Sequence, residues 1–136
     1  MKKPLLIIAF LLFACMVKAQ KNDTVKSISS DTLIFYKVEH EPEFPGGMKK
    51  FYKYVAKNLH YPANMGTIDV QGKVFIQFIV EKDGSVSHVK VTKSLYDDLD
   101  KEALRVVSNS PKWNPGVQNG HIVRVLYVVP IDFTVL

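Results

Sequence analysis

The side chains that most often carry out chemistry are thinly scattered in this sequence of 136 residues. The four histidines are His40, His60, His88 and His121, with no i, i+4 pair and no cysteine or acid at the spacing of a zinc site. There is no Gly-x-Ser-x-Gly nucleophile motif, no P-loop and no dinucleotide fingerprint. We therefore expect a protein that is not an enzyme and that uses neither a metal nor a cofactor.

Two further groups of residues have a chemical and a structural interpretation. Four acids lie close together in the chain: Asp97, Asp98, Asp100 and Glu102. They are candidates for a metal or acid/base cluster, but acids in the first turn of a helix explain them more simply. The pair Gly46-Gly47 precedes a predicted helix and is a candidate anion site, whereas a tight turn is the simpler interpretation.

The first nineteen residues have the composition of a targeting segment. Met1–Lys3 is basic, Pro4–Val17 is apolar, and Val17–Ala19 resembles a signal-peptidase site. As a helix the apolar run would span about 21 Å, less than the roughly 30 Å of a bilayer core. We therefore expect residues 1–19 to be removed as a signal peptide. The alternatives are acylation of Cys15, as in a lipoprotein, and retention of the segment as an anchor.

Removal of this segment changes the chemistry of the remaining chain. Cys15 is the only cysteine, so the mature chain would contain no disulfide and no thiol. The formal net charge of +5 would fall to +2, because Lys2, Lys3 and Lys18 are lost and no acid is lost. So small a charge, interspersed with acids, argues against a nucleic-acid partner.

The clearest structural pattern is a β-hairpin over Gly72–Lys93. Two runs rich in Val, Ile and Phe flank Asp83-Gly84, a strong turn signal between strands. Alternate residues of the first run are all apolar and should face a core: Val74, Ile76, Phe78 and Val80. Val86 is out of phase with the second run, which predicts a bulge just after the turn.

Apolar residues at helical spacing predict a first helix from Met48 to Leu59, which Pro62 ends. Its other faces are rich in lysine: Lys49, Lys50, Lys53 and Lys57. These lysines form either a surface for a membrane or an anionic partner, or a solvated helix face.

A second helix is predicted from Asp97 to near Asn109, and a long strand from His121 to Leu136. Residues 20–32 are polar and are predicted to be flexible, while residues 33–38 are β-prone and offer an additional N-terminal strand. The order is therefore helix, strand, strand, helix, strand. This order predicts a small α+β domain.

Several segments, in this order, resemble the C-terminal domain of the TonB family, the periplasmic part of proteins that energise outer-membrane receptors. They are Phe44-Pro45-Gly46-Gly47, Tyr61-Pro62-Ala63, residues 72–86, residues 99–107, Trp113-Asn114-Pro115-Gly116 and residues 127–133. The Phe-Pro-Gly-Gly segment is typical of Bacteroidetes-type members. The likeness covers about residues 38–136, which predicts one domain there after a flexible leader over residues 20–37.

The resemblance implies a three-stranded antiparallel sheet with two helices packed on one face. It also implies that an added strand is bound: the TonB box, a short N-terminal peptide of a TonB-dependent outer-membrane receptor. The resemblance implies that the receptor contacts of the family correspond here to the Tyr-Pro segment and the last strand. They are His60, Tyr61, Pro62, Ile122, Val123, Arg124, Val125, Leu126, Tyr127 and Val128. The alternative role of Tyr61-Pro62 is structural: Pro62 ends the helix and Tyr61 fills the end of the core.

The residues themselves also favour the last strand as the accepting edge. Pro130 has no N–H, so one side of this strand has an incomplete ladder. With both helices on the other face, five apolar side chains would form an uncovered patch: Phe75, Ile79, Ile122, Leu126 and Val128. Such a patch needs a partner, either the receptor peptide or a second copy of the domain in a homodimer.

Two function classes are compatible with these residues. The first is a periplasmic component of energy-coupled nutrient or siderophore import that engages TonB-dependent receptors. It is either anchored itself, despite the short apolar run, or linked through an anchored partner to an inner-membrane proton-driven motor of the ExbB/ExbD type. The second is a free periplasmic peptide-binding module or regulator with the same fold. Family members that transduce energy carry an uncleaved transmembrane helix and a long Pro-rich spacer. Residues 20–32 would reach at most about 45 Å and contain no proline.

Overall fold

The structure is a computed structural model that describes residues 31–63 and 70–134. The predicted signal peptide at 1–19, with Cys15, lies outside the described residues, as do residues 20–30 of the predicted leader. Those expectations therefore remain predictions. In the two described ranges, no helix has the length and apolar character needed to cross a membrane.

The described residues fold as an α+β domain, as predicted. The elements are β1 (Ile34–Phe35), α1 (Met48–Asn58), β2 (Gly72–Val80), β3 (Val86–Lys93), α2 (Asp97–Ser108), β4 (Gly116–Gln118) and β5 (His121–Phe133). Both predicted helices and all three predicted long strands are confirmed. The early β-prone segment forms a strand over only two of its residues.

The sheet is mixed and, among the described residues, has five strands in the order β1-β5-β2-β3, with β4 also paired to β5. β2 pairs antiparallel with β5 from Gly72↔Phe133 to Val80↔Val125. β1 pairs parallel with β5 at Ile34↔Arg124. The predicted three antiparallel strands are therefore part of a larger sheet, in which both added strands pair with β5. The two added strands have two and three residues, too short to show an alternating pattern in the sequence.

The β2–β3 hairpin closes through Gly84, whose φ of 86° is in the left-handed region that favours glycine. The predicted bulge is present, but it lies further along β3 than Val86. Gln77 pairs with Lys90 and Ile79 with Ser87, so two residues of β3 oppose one of β2. His88, at φ 50°, takes up the extra residue.

Both helices pack on the same face of the sheet, as predicted. The apolar face of β2 is completely buried, and Phe51, Val55 and Val107 cover it in one core cluster. Met48 and Leu104 pack against this cluster from its rim. The helical spacing of α1 also places Tyr52 on its apolar face, but Tyr52 is 40% exposed because it lies at the border of that face.

Trp113 brings together three of the segments that carried the family resemblance. Its ring lies 5.6 Å from Phe44 and 5.3 Å from Phe78, measured between centroids. Its backbone N–H donates to the Gly84 carbonyl at 2.8 Å. A Cβ on Gly84 would lie 2.0 Å from the Trp113 carbonyl oxygen. These segments therefore hold the hairpin turn against the helical layer.

Candidate functional site

The last strand, β5, has one side that is only partly used. β2 occupies the other side from Val125 to Phe133. Val125 also pairs with Phe35 of β1, so β1 must lie on the side opposite to β2. Among residues 31–63 and 70–134, no strand pairs with that second side from Leu126 to Phe133. We call this length of β5 the open edge.

The other outer edge of the sheet, on β3, is protected against pairing. Its bulge at His88 interrupts the regular ladder, and Lys90 and Lys93 are exposed along the strand. Lys93 also places its ammonium group 5.5 Å from the centre of the Phe75 ring. Bulges and lysines are common ways in which proteins prevent unwanted strand addition. The open edge of β5 is therefore the better candidate for binding a strand.

The predicted site residues divide between the two ends of β5. His60–Pro62 lies at the far end of the strand, where the Tyr61 hydroxyl donates to the Thr134 carbonyl at 2.6 Å. Within the predicted strand segment, residues 122–123 pair with β4 and residues 124–125 with β1. Only residues 126–128 lie on the open edge. The open edge is thus what connects the two predicted parts of the site.

A half-open cavity of about 420 Å³ lies between α1 and the far end of the open edge. It is lined by Tyr52, Val55, Ala56, Leu59, Tyr61, Asp132 and Thr134. Tyr61 is 45% exposed and its ring packs edge-on against Phe133 at 5.8 Å. Tyr61 therefore packs at the end of the core and also forms part of the wall of this cavity.

Two tyrosines beside the open edge lie close to acidic side chains. Burial, and then the charge of Asp132, raises the pKa of Tyr52. Burial raises the pKa of Tyr127, followed by the charge of Glu41. Both phenols are protonated near neutral pH, as in an ordinary tyrosine, and each can donate a hydrogen bond.

An ion pair fixes β5 where the open edge meets β1. Arg124 donates to Glu81 through Nε at 2.6 Å and Nη2 at 3.0 Å. These hydrogen bonds lower the pKa of the Glu81 carboxyl, with a further contribution from the Ser87 hydroxyl. Arg124 is thus held in the two-point geometry typical of arginine with a carboxylate. Its Nη1 remains directed at the Asp31 carbonyl, 3.1 Å away.

The predicted apolar patch on the face away from the helices is only partly uncovered. Ile122 and Val128 are 51% and 46% exposed, whereas Ile79 is buried and Leu126 and Phe75 are half-buried. Val128 is the most exposed large apolar side chain of the open edge, and its partner on β2 is Gln77. The exposed part of the patch is therefore concentrated on β5.

Asp100 and Glu102 of α2 have structural partners. Asp100 accepts from the Leu95 N–H at 3.0 Å, and the N-cap of α2 is Tyr96, with Asp97, Asp98 and Asp100 in the first turn. Glu102 accepts from the His60 N–H at 2.7 Å and pairs with Arg105. In the described part of the chain, no group of three or more His, Cys, Asp or Glu side chains has metal-binding geometry.

Comparison with known proteins gives the family. The model of the Gram-negative bacterial TonB protein C-terminal family matches residues 57–135, more than half of the chain. The chain belongs to the TonB C-terminal family. Among curated proteins, none matches it.

Solved TonB C-terminal domains have a related fold. A solution structure of the Helicobacter pylori TonB C-terminal domain is 24% identical over 64% of this chain and 91% of that one, with a TM-score of 0.51. A second solution structure of the same domain is 22% identical over 65% of this chain and 80% of that one, with a TM-score of 0.49. At this identity the first comparison supports the fold alone.

Sequence reasoning missed several residues of the site. Asp132 and Thr134 line the cavity beside Tyr61, although they are more than seventy residues away in the chain. Asp31–Phe35 contacts β5, although its residues were assigned to the flexible leader. The β-prone run at residues 33–38 indicated the contact of Asp31–Phe35 with β5. No sequence pattern indicated that Asp132 and Thr134 lie beside Tyr61.

Proposed function

We propose that this TonB C-terminal domain binds the N-terminal TonB box peptide of an outer-membrane TonB-dependent receptor as a strand added to β5. The domain acts in the periplasm, in energy-coupled import, together with an anchored partner and its proton-driven motor. The observation that carries the proposal is the open edge, a buried-core strand with one unpaired side among the described residues. Unpaired backbone groups on such a side can be satisfied by an extended peptide.

Pro130 is compatible with an unpaired side of β5 opposite β2. β2 pairs along one side of β5 from Val125 to Phe133, including Phe75 opposite Pro130. A proline lacks the N–H of a ladder and is tolerated where that N–H would face away from a paired neighbour. The missing donor is therefore best placed on the open side. An added peptide would form main-chain hydrogen bonds on either side of Pro130 rather than a continuous ladder.

The proposed contacts are the residues that the sequence predicts, and the geometry of β5 bears on each of them. Residues 126–128 offer an open backbone, and residues 124–125 become available on the same side only if β1 moves. Tyr61 and the cavity beside it receive a side chain of the peptide at the far end. The His60 backbone is already tied to Glu102, so His60 contributes through its exposed ring.

Val128→Lys tests this proposal more sharply than a change at Leu126, because Val128 is exposed and its replacement spares the core. A peptide strand beside Val128 would pack an apolar side chain against it. Losing a contact worth about 1 kcal/mol should weaken binding about fivefold. The measurement is titration calorimetry with a synthetic TonB box peptide from a receptor of the same organism.

Thr92→Lys is the matched control, since it adds the same charge at an exposed position on the protected β3 edge. The proposal expects the affinity of this variant to stay within about twofold of the wild-type value. Equal losses for the two variants would mean that charge, and not the open edge, governs binding. An unchanged affinity for Val128→Lys would contradict strand addition at this site.

A further inference from the structure

The chain already places a strand of its own on the second side of β5. Ile34 and Phe35 pair in parallel with Arg124 and Val125, directly next to the open edge. Residues 122–125 belong to the segment proposed to bind the receptor peptide. The segment Asp31–Phe35, which we call the resident segment, therefore occupies part of the proposed binding surface.

The resident segment contacts the domain through both its backbone and its side chains. Its backbone pairs with β5, and its Phe35 side chain packs against the small cluster of Val38, Val123 and Val125. Asp31 pairs with Lys82 at 2.5 Å, and its carbonyl accepts from Arg124 Nη1 at 3.1 Å. The surface thus recognises an extended segment with an acidic residue ahead of consecutive apolar residues.

This contact is limited in extent. Within residues 31–35, two residues pair with β5, Leu33 and Ile34 are 43% and 37% exposed, and the following Tyr36 is 79% exposed. A half-open cavity of about 480 Å³ remains between the resident segment and the turn of the β4–β5 hairpin. A two-residue pairing with exposed side chains can be displaced by a longer peptide that also uses residues 126–133.

We propose that Asp31–Phe35 is an internal ligand of β5, and that a partner peptide displaces it and shares its chemistry, an acidic residue followed by apolar residues. For the identity of the partner, this inference rests on the proposed function. The affinity measured for any such peptide is then reduced by the fraction of molecules in which the resident segment occupies the strand.

The test uses the full chain and a synthetic peptide with the sequence of residues 31–36, Asp-Thr-Leu-Ile-Phe-Tyr. Phe35→Asp places a carboxylate in the apolar cluster and leaves β5 itself unchanged. It should release the resident segment. If β5 is accessible in about one wild-type molecule in ten, binding of the peptide should become about tenfold stronger. Tyr36→Asp is the matched control, because it adds the same charge one residue away at an exposed position.

Amide chemical shifts of the free variants provide an independent measurement. Phe35→Asp should move the signals of Arg124 and Val125, whereas Tyr36→Asp should leave them in place. Ile34→Pro is a second way to break the pairing; it touches no buried cluster, so it keeps the test valid if Phe35→Asp unfolds. A peptide with Asn in place of Asp should bind two- to fivefold more weakly, about the value of a partly exposed ion pair.

The proposal is overturned if Phe35→Asp and Ile34→Pro leave the Arg124 and Val125 signals unmoved, or if they move these signals without strengthening peptide binding. A receptor peptide that binds the wild type and both variants equally well would also overturn it, while leaving the proposed function intact. Conversely, strengthened binding of the 31–36 peptide with no binding of any receptor peptide would support the internal ligand and contradict the proposed function.

Discussion

Replacement of Phe51 by alanine tests how the helical layer covers the sheet that carries the open edge. Phe51 is completely buried, and its ring lies 5.5 Å from Phe44 and 5.3 Å from Trp113. Loss of the transfer free energy of a buried aromatic, about 1.5 to 3 kcal/mol, adds to the cavity left behind. We therefore expect Phe51→Ala to lower the free energy of unfolding by about 3 to 5 kcal/mol.

Urea denaturation followed by circular dichroism measures this loss, with the fluorescence of the single tryptophan as a second probe of the same cluster. Tyr52→Ala is the matched control on the same helix, because Tyr52 is 40% exposed and should cost less than about 1.5 kcal/mol. A loss below about 1 kcal/mol for Phe51→Ala would show that α1 does not close the core, and the reasoning would fail.

Two further predictions concern the region where β2 turns toward β3. Gly84→Ala must both adopt a φ of 86° and place a Cβ 2.0 Å from the Trp113 carbonyl, so it should cost at least about 2 kcal/mol in thermal denaturation. Gly120→Ala, at φ 74° with no atom within 4 Å, should cost only the conformational part, about 1 to 2 kcal/mol, and an equal cost would refute the close approach. Because Arg124 lowers the folded-state pKa of Glu81, this pair stabilises the fold above the unfolded-state pKa of about 4.3. That stability is lost as the pH falls through the lower folded-state value, so Glu81→Gln should be less stable than the wild type at pH 6, and the difference should shrink as the pH is lowered from there. A constant difference would contradict this linkage.

Much of the fold could be predicted because its patterns are local. The alternation of β2 identified its buried face, and helical spacing identified α1 and α2. Tyr52 shows the limit of that argument, since spacing assigns a residue to a face but does not say how far the partner surface extends. The two short strands could not be predicted with their partners, because pairing over two or three residues depends on contacts distant in the chain.

The candidate site was predictable only in part for the same reason. The importance of the last strand followed from its length, its apolar faces and Pro130. The division of that strand into a paired and an open length depends on β1, whose partner residues are about ninety positions away. The contact of Tyr61 with Thr134 spans 73 positions and has no sequence signature. Long-range pairing, rather than local preference, therefore decides which residues are accessible to a peptide.

Amide chemical-shift mapping of the full chain during titration with a synthetic TonB box peptide tests strand addition most directly. The account predicts that the largest changes fall on residues 126–133, with accompanying changes at Arg124 and Val125 as the resident segment leaves. Changes that cluster on the lysine-rich faces of α1, at Lys49, Lys50, Lys53 and Lys57, with residues 122–133 unmoved, would contradict it.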